Sequence, residues 1–319
     1  MQVTAWSFSR HKSLRGCPRA HWFAYYRQGE PDAGLMLAHS KLVTRYMFVG
    51  QIADSVAGSV LNHVRRAGKL PDVEKVEAYA RELGERNIAS SRINAEKVLA
   101  GKAPPFGAQV LDDHVWQSRP VLTDEQVVKR VAAAAIAFAS SGIVLRLLKS
   151  PIETWPKPRV REDPRPEAWQ IGDYWVSSAP DSWLDETERF TVMDWKASRQ
   201  IGQDDGFQLA VYGLWAVYSR GISPDRVYSQ VVLMPLRPDF EPAPIGAMQL
   251  EFAQETIETD CIRERSMVDV EMRRPGAEEF IADRDRFPAQ PDSQKCPGCK
   301  FKAICPEGLS SLVKNGATG

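Results

Sequence analysis

The fold is decided by residues 180–196, PDSWLDETERFTVMDWK, and by the segments on either side of them. Residues 189–195, RFTVMDW, combine β-branched and aromatic side chains and predict a strand. Before this strand, residues 169–179, WQIGDYWVSSA, predict another strand, and residues 181–188, DSWLDETE, predict a turn that joins the two. The stretch therefore predicts two neighbouring strands of one sheet.

A helix and a third strand follow this pair. Residues 204–219, DDGFQLAVYGLWAVYS, predict a helix that ends at Gly221. Residues 227–236, VYSQVVLMPL, then predict a strand whose apolar run suits burial. Strand, strand, helix and strand in this order form the core of a mixed α/β sheet.

Most of the remaining chain is predicted to be helical, and one large unit is expected over residues 1–319. The predicted helices cover 13–27, 45–66, 71–99, the alanine-rich run 132–148 with a start signal at Thr123, and 251–286. We expect a mainly helical part at 1–150, a catalytic sheet core at 151–250, and a C-terminal helix and cysteine segment at 251–319.

Composition excludes several classes of protein. With 43% hydrophobic residues in 319, the chain can bury a large core, and it shows no bias typical of disorder. No window approaches the roughly 18 uninterrupted apolar residues of a membrane helix, and the first residues lack the apolar region of a signal peptide. We therefore expect a cytoplasmic protein without a membrane partner. Lys and Arg together number 41, as do Asp and Glu, so a nucleic-acid partner would require a local basic patch.

Two acids and a lysine lie on the predicted strands. Asp181 is placed at the end of one strand, and Asp194 and Lys196 lie two residues apart on the next, on the same face. Two carboxylates beside a lysine can bind a divalent cation, lower the pKa of a bound water and hold that water near the ammonium. Such a site suits phosphodiester hydrolysis. The alternative is a surface strand with a simple ion pair.

A glutamine and a tyrosine follow on the predicted helix. Gln208 and Tyr212 are four residues apart and share a helix face, from which they could reach a phosphate or a base. The alternative is that Tyr212 is only a half-buried aromatic residue of the helix.

Four cysteines lie at the two ends of the chain. Cys17 stands alone, whereas Cys296, Cys299 and Cys305 form a C-x2-C-x5-C pattern bordered by prolines. Four thiolates are the number that a tetrahedral metal or an iron-sulfur cluster requires. The alternative is scattered buried thiols or disulfides, although Cys261 is the only cysteine outside the pattern.

From Ser7 to Pro306 the sequence resembles the iron-sulfur members of the RecB-like branch of the PD-(D/E)XK nuclease superfamily. These members include CRISPR-adaptation nucleases and the nuclease domains of AddB-type helicase-nucleases. The cysteine pattern and the P-D and D-x-K pair are the specific parts of the resemblance.

The resemblance implies a restriction-endonuclease-like mixed central sheet with flanking helices, acting on DNA through one or two Mg²⁺ or Mn²⁺ ions. It implies metal ligation by Asp181 and Asp194, and a water-orienting role for Lys196. Gln208 and Tyr212 match the family's additional motif. The four cysteines match its [4Fe-4S] ligands, which are Cys17, Cys296, Cys299 and Cys305. DNA with an end or a single-stranded region is the implied substrate, and a helicase or a CRISPR-adaptation protein is an implied partner.

One position departs from the family pattern. A histidine usually follows a glycine by four residues on an early helix, whereas here Asp54 follows Gly50. A carboxylate is a hard ligand suited to Mg²⁺, so Asp54 is predicted to lie at the metal. His63 is nine residues further, on the opposite helix face. The alternative is that Asp54 is a structural acid and the metal site is weakened.

Three functions follow from these patterns. The first is a metal-dependent DNA exonuclease with a structural [4Fe-4S] cluster. The second is a nuclease fold that has lost turnover and only binds DNA or assembles with partners. The third is a structural protein whose four thiolates hold Zn²⁺.

Overall fold

The computed structural model describes residues 5–27, 30–105, 107–156, 168–268, 282–292 and 294–310. These residues form two compact units, each built from segments distant in the sequence. Unit 1 comprises the described residues of Met1–Thr44, Ile88–Pro120 and Ile257–Gly319, and unit 2 those of Arg45–Asn87 and Val121–Thr256. The cysteines all lie in unit 1, and the predicted catalytic residues all lie in unit 2.

Helices predominate before residue 150, and the longer strands come after it. The α-helices of the described chain are α1 Phe8–Gly16, α2 Pro18–Tyr25, α3 Ala33–Ser40, α4 Arg45–Ala67, α5 Val73–Leu99, α6 Asp112–Trp116, α7 Asp124–Ala139, α8 Gly142–Lys149, α9 Asp205–Arg220 and α10 Ala247–Met267. The strands are β1 Leu42–Val43, β2 Val110–Leu111, β3 Trp169–Ile171, β4 Tyr174–Val176, β5 Ser182–Asp185, β6 Phe190–Lys196, β7 Val227–Leu233 and β8 Ala243–Pro244.

In unit 1, the predicted helix at 13–27 is interrupted at the first cysteine. Helix α1 ends at Gly16, Cys17 is extended with φ −165° and ψ 109°, and Pro18 begins α2. A proline disfavours the helical conformation in the residue before it and suits the first position of a helix. The prediction of one continuous helix was therefore wrong, and the break leaves Cys17 at the junction of two helices.

A buried polar network also stabilises unit 1, centred on Glu264 of α10. The carboxylate of Glu264 accepts hydrogen bonds from Arg10 and from the Tyr26 hydroxyl at 2.7 Å, and His21 Nε2 lies 2.7 Å from it. Burial alone raises the pKa of a carboxyl group. Here the Arg10 charge and the hydrogen bond to His21 outweigh burial and hold the pKa of Glu264 at about 2.

This network predicts an acid-sensitive fold. The folded pKa of Glu264 is below its ordinary value of 4.5, so its contribution is complete above pH 4.5 and is lost as pH falls toward about 2. Glu264→Gln leaves a buried arginine unpaired, and we expect it to lower the free energy of unfolding by about 3–5 kcal/mol at pH 7. Urea unfolding at pH 7, 4 and 3 measures both effects.

The matched control for this prediction is Glu255→Gln, because Glu255 is an exposed acid on the same helix. Its unfolding should follow wild type at every pH. A Glu264→Gln variant as stable as wild type would show that the network does not support the fold.

The central sheet lies in unit 2 and is mixed, as the sequence predicts. Its strand order is β5-β6-β7-β8, with β6 and β7 parallel and the two outer pairs antiparallel. The ring centroids of Phe190 on β6 and Trp215 on α9 are 6.2 Å apart, and those of Trp195 on β6 and Phe138 on α7 are 5.1 Å apart. Because side chains alternate along a strand, α9 and α7 cover opposite faces of β6.

The first strand of this sheet is not the predicted one. Residues 169–179 form the hairpin of β3 and β4, a separate two-stranded sheet that turns at Gly172 with φ 51°. The predicted turn at 181–188 instead contains β5, whose side chains alternate between buried and half-buried. Only the end of that stretch turns, where Glu186 and Arg189 pair their backbone groups at 2.8 and 3.3 Å. The acidic residues of the stretch obscured the short strand.

The alanine-rich run is two helices, not one. The predicted start is confirmed: the Thr123 hydroxyl accepts from the Gln126 amide at 3.2 Å, and the Gln126 side chain accepts from the Thr123 amide at 2.8 Å. The helix then ends at Ser140, and Ser141 caps α8 by accepting from the Val144 amide at 3.3 Å. Two consecutive serines favour caps over a helix interior.

The helix predicted at 251–286 is confirmed only as far as Met267, where α10 ends. Residues 269–281 of the prediction lie outside the described residues, and Arg284–Arg286 form one 3₁₀ turn instead of continuing the helix. Within the described chain, no single helix has the length and apolar character needed to cross a membrane. Helices α7 and α8 satisfy both criteria only when taken together, as a pair bent by 43°.

Candidate active site

The pairing of β5 with β6 brings the two predicted metal-binding acids together. Ser182 pairs with Met193, so Asp181 lies beside the strand position of Asp194. The Asp181 amide donates to the Met193 carbonyl at 3.1 Å, and the Trp195 amide donates to Asp181 Oδ2 at 2.7 Å. Asp181 therefore precedes the first strand of the central sheet. The prediction that it ends a preceding strand was wrong.

Lys196 completes a ring of four side chains with the helix that follows. Its ammonium lies 2.6 Å from Asp194 Oδ2 and donates to Gln208 Oε1 at 2.9 Å. Gln208 Nε2 donates to the Tyr212 hydroxyl at 2.6 Å, and that hydroxyl donates to Asp194 Oδ1 at 3.4 Å. Strand spacing and helix spacing thus bring the D-x-K and Q-x3-Y residues into one network.

The electrostatics of this network are those of a crowded anionic site. Burial, followed by the charges of Asp194 and Asp54, raises the pKa of Asp181 well above its usual value. Burial also raises the pKa of Asp194, which is only 3% exposed. Burial by itself lowers the pKa of the Lys196 ammonium. The neighbouring carboxylate of Asp194 outweighs burial, so the pKa is raised. A bound cation would relieve the repulsion between the acids.

Asp54 lies near this site, on an exposed position of α4. Its charge is one of the causes that raise the pKa of Asp181, which places the two carboxylates within electrostatic reach. His63 is exposed further along the same helix.

Sequence reasoning missed one residue of the site, Asp205. Its Oδ1 atom lies 3.5 Å from the Lys196 ammonium, and its Oδ2 atom accepts from the Gly202 amide at 2.6 Å. Asp205 is the first residue of α9. An acid in the first turn of a helix directly after a D-x-K strand is the signal that could have identified it.

The donor set fits a divalent cation that keeps part of its water shell. No group of three or more His, Cys, Asp or Glu side chains that could hold a metal ion occurs in the described parts of the chain. Mg²⁺ commonly binds through one or two carboxylates, with waters and substrate phosphates completing the octahedron. Asp181 and Asp194 supply such a pair.

In unit 1, the four cysteines of the pattern face one cavity of about 240 Å³. The remaining walls include Ala20, Phe23 and Phe301. All five cysteines of the chain are free, which excludes the alternative of disulfides in this structure. The four cysteines therefore line a common cavity, but within the described residues no three of them form a group that could hold a metal ion.

Two of the four thiols lie in surroundings that raise the pKa and disfavour the thiolate. Burial and the nearby sulfurs of Cys17 and Cys296 raise the pKa of Cys299, and burial raises the pKa of Cys305 to about 11. Such thiols become thiolates only when a positive centre binds them. The Asp292 amide already donates to Cys296 Sγ at 3.3 Å, and amide-to-sulfur hydrogen bonds are a feature of iron-sulfur sites.

The fifth cysteine is set apart. Cys261 is buried on α10 and is not among the residues that line the cavity. Burial raises the pKa of its thiol to about 12, which disfavours the thiolate that binds metals.

A comparison with protein families gives one result for nearly the whole chain. The model of the PD-(D/E)XK nuclease superfamily matches residues 5–306. No curated protein matches the sequence.

Proposed function

Since the chain belongs to the PD-(D/E)XK nuclease superfamily, we propose that it is a DNA exonuclease that uses Mg²⁺ or Mn²⁺ at Asp181 and Asp194. Membership supports a nuclease that depends on divalent metal and acts on DNA. One observation carries the proposal. The Lys196 ammonium lies 2.6 Å from Asp194 on β6, and Asp181 directly precedes β5, the strand that pairs with β6.

Each side chain has a role in the proposed hydrolysis of a phosphodiester. The bound metal supplies charge stabilisation and a water of lowered pKa. Asp181 and Asp194 hold the cation, and the Lys196 ammonium orients the attacking water and offsets charge on the phosphate. Gln208 fixes the ammonium through its hydrogen bond at 2.9 Å, and Tyr212 fixes Gln208. Asp205, whose Oδ1 atom lies 3.5 Å from the same ammonium, also restrains it.

The iron-sulfur assignment is a second part of the proposal. We assign Cys17, Cys296, Cys299 and Cys305 to one [4Fe-4S] cluster that stabilises unit 1 without taking part in hydrolysis. The choice of a cluster over zinc rests on the resemblance of the cysteine pattern. The cavity of about 240 Å³ supports a shared site only in that all four cysteines line it, together with twelve other residues. The RecB-like branch, and a helicase or CRISPR-adaptation partner, are proposed on the resemblance carried by the cysteine pattern and by the P-D and D-x-K pair.

Digestion of linear and circular DNA tests the exonuclease assignment. We expect Mn²⁺-dependent loss of end-labelled linear DNA, with a circular DNA of the same sequence left intact. Nicking of the circle would show an endonuclease, and no cleavage of any form would support the alternative of a nuclease fold without turnover.

The position of Asp54 gives a separate prediction. Because its charge acts on Asp181, we expect Asp54→Ala to weaken metal affinity, to reduce cleavage in 1 mM Mg²⁺ by about tenfold, and to recover partly at higher Mn²⁺. Asp54→His should keep activity and shift the preference toward Mn²⁺, since imidazole suits the less hard cation. Metal titrations of the initial rate measure both effects.

His63→Ala is the control for Asp54, because His63 is an exposed residue of the same helix. Its metal titration should match wild type. An inert wild type that gains activity on Asp54→His substitution would show that the natural protein has lost turnover.

A further inference from the structure

A groove of about 710 Å³ opens beside Lys196 in unit 2. Its polar lining includes Arg130 of α7 and, after β6, Ser198 and Arg199. None of the lining residues is an acid. Within the described residues, neither arginine has a carboxylate partner. The groove is therefore positively charged, whereas the catalytic end beside it is anionic.

Helix α4 connects the groove to the candidate metal site. Tyr46, Gly50 and Asp54 follow one another at intervals of four residues, so they share one face of the helix. Tyr46 and Gly50 line the groove, and the Asp54 charge acts on Asp181. At 1.5 Å per residue, the eight residues from Tyr46 to Asp54 cover about 12 Å, the length of roughly three to four stacked nucleotides at about 3.4 Å each.

Tyr46 is an unusual side chain for this position. It is 56% exposed although it is a large aromatic residue, and the Arg130 guanidinium lies over its ring at 5.4 Å from the centroid. A cation over an aromatic ring holds both groups in place. An exposed, oriented ring beside an arginine is the combination with which proteins bind unpaired bases and their phosphates.

Gly50 adds an independent observation. A glycine in a helix interior costs roughly 1 kcal/mol relative to alanine, and a Cβ atom at Gly50 would meet nothing within 4 Å. Packing against the described residues therefore does not require a glycine here. The missing side chain leaves this face of α4 open, with room for a DNA strand to lie against the helix.

We propose that this groove binds the single-stranded DNA that leads to the catalytic carboxylates, with Tyr46 stacking on a base and Arg130 contacting the adjacent phosphates. This inference rests on the proposed nuclease function and adds to it two residues that position a single-stranded substrate. Stacking on Tyr46 requires a base with a free face, so the groove selects unpaired strands over duplex. Arg199, three residues after Lys196 in the sequence, also lines the groove, and we assign it to the phosphate chain.

Binding of labelled oligonucleotides in EDTA tests the proposal apart from cleavage. Tyr46→Ala should weaken single-strand binding by about 5- to 150-fold, the effect of losing one stacked base, and should change duplex binding less than twofold. Tyr46→Phe keeps the ring and should bind like wild type. Arg130→Ala should lower the slope of log affinity against log salt by about 0.7 on single strands.

Two further variants control for folding and for position. Tyr79→Ala removes an exposed tyrosine outside the groove and should bind like wild type. Gly50→Ala should raise the melting temperature and yet weaken single-strand binding. If Tyr46→Ala binds single strands as tightly as wild type does, the groove does not have this role. The same conclusion follows if the variant loses affinity for single strands and for duplex equally. Wild type that binds single strands in EDTA but cleaves nothing with Mn²⁺ would overturn only the nuclease assignment.

Discussion

Asp194→Asn is expected to reduce DNA cleavage at least about 1,000-fold, which corresponds to about 4 kcal/mol of lost transition-state stabilisation. The substitution keeps the shape of the side chain but removes the charge that binds the metal. It also removes the anionic partner of Lys196, 2.6 Å away. Lys196→Ala is expected to have an effect of similar size, because no other described side chain holds an ammonium at this point of the network.

DNA binding should survive both substitutions. Affinity for nucleic acid depends chiefly on contacts with the phosphate backbone, and we assign those contacts to the groove. Single-turnover cleavage and equilibrium binding should therefore separate, with the rate lost and the affinity within about threefold of wild type.

Asp185→Asn is the matched control for the acid. Asp185 lies on β5, is partly exposed and pairs with Arg226 at 3.1 Å, away from the ring. This variant should keep at least half of the wild-type rate. An Asp194→Asn variant with more than a tenth of the wild-type rate would exclude Asp194 as a metal ligand.

Cys17→Ala is expected to remove the cofactor of unit 1. Cys17 is the only one of the four thiols that comes from the N-terminal helices, so its loss should release or degrade the cluster. Structural metals contribute on the order of 10 kcal/mol to small folds, and we expect loss of the broad visible absorbance, low iron and sulfide content, and a lower melting temperature.

Cys261→Ala is the matched control, since Cys261 is buried on α10 and does not line the cavity. Its absorbance and its iron content should match wild type. Full iron and sulfide content in Cys17→Ala would show that the four-ligand assignment is wrong. A colourless wild type with one zinc ion per chain would support the third function instead.

The sequence predicts the chemistry of the site better than its framework. The D-x-K and Q-x3-Y spacings depend only on the periods of a strand and a helix, which the sequence shows directly. The ring of Asp194, Lys196, Gln208 and Tyr212 follows from these two periods once β6 and α9 are adjacent. The mixed sheet was also predictable, because the sequence shows the strand and helix periods of its segments directly.

Other features depend on pairing between segments, which spacing does not encode. The strand after Asp181 is only four residues long and ends in an acidic turn, so its propensity alone is weak. The role of Asp205 depends on where α9 begins relative to Lys196. The basic groove joins α4, α7 and the end of β6, and no local pattern identifies Tyr46 or Arg130 as neighbours.

The break at Cys17 was predictable in principle and was missed. The proline after the cysteine marks a helix boundary, but the aromatic run that follows suggested a continuous helix from residue 13. The aromatic run favours a continuous helix and the proline favours a break, and the effect of the proline on the backbone of Cys17 was decisive.

The central claim is that the carboxylates of unit 2 hold a metal ion on the phosphate that is cleaved. Cleavage of a strand with one non-bridging oxygen of the scissile phosphate replaced by sulfur measures this contact directly. We expect the sulfur to slow cleavage at least about tenfold in Mg²⁺ and much less in Mn²⁺, because the softer ion accepts a sulfur ligand better. Equal rates for the sulfur and oxygen substrates in both metals would contradict the account.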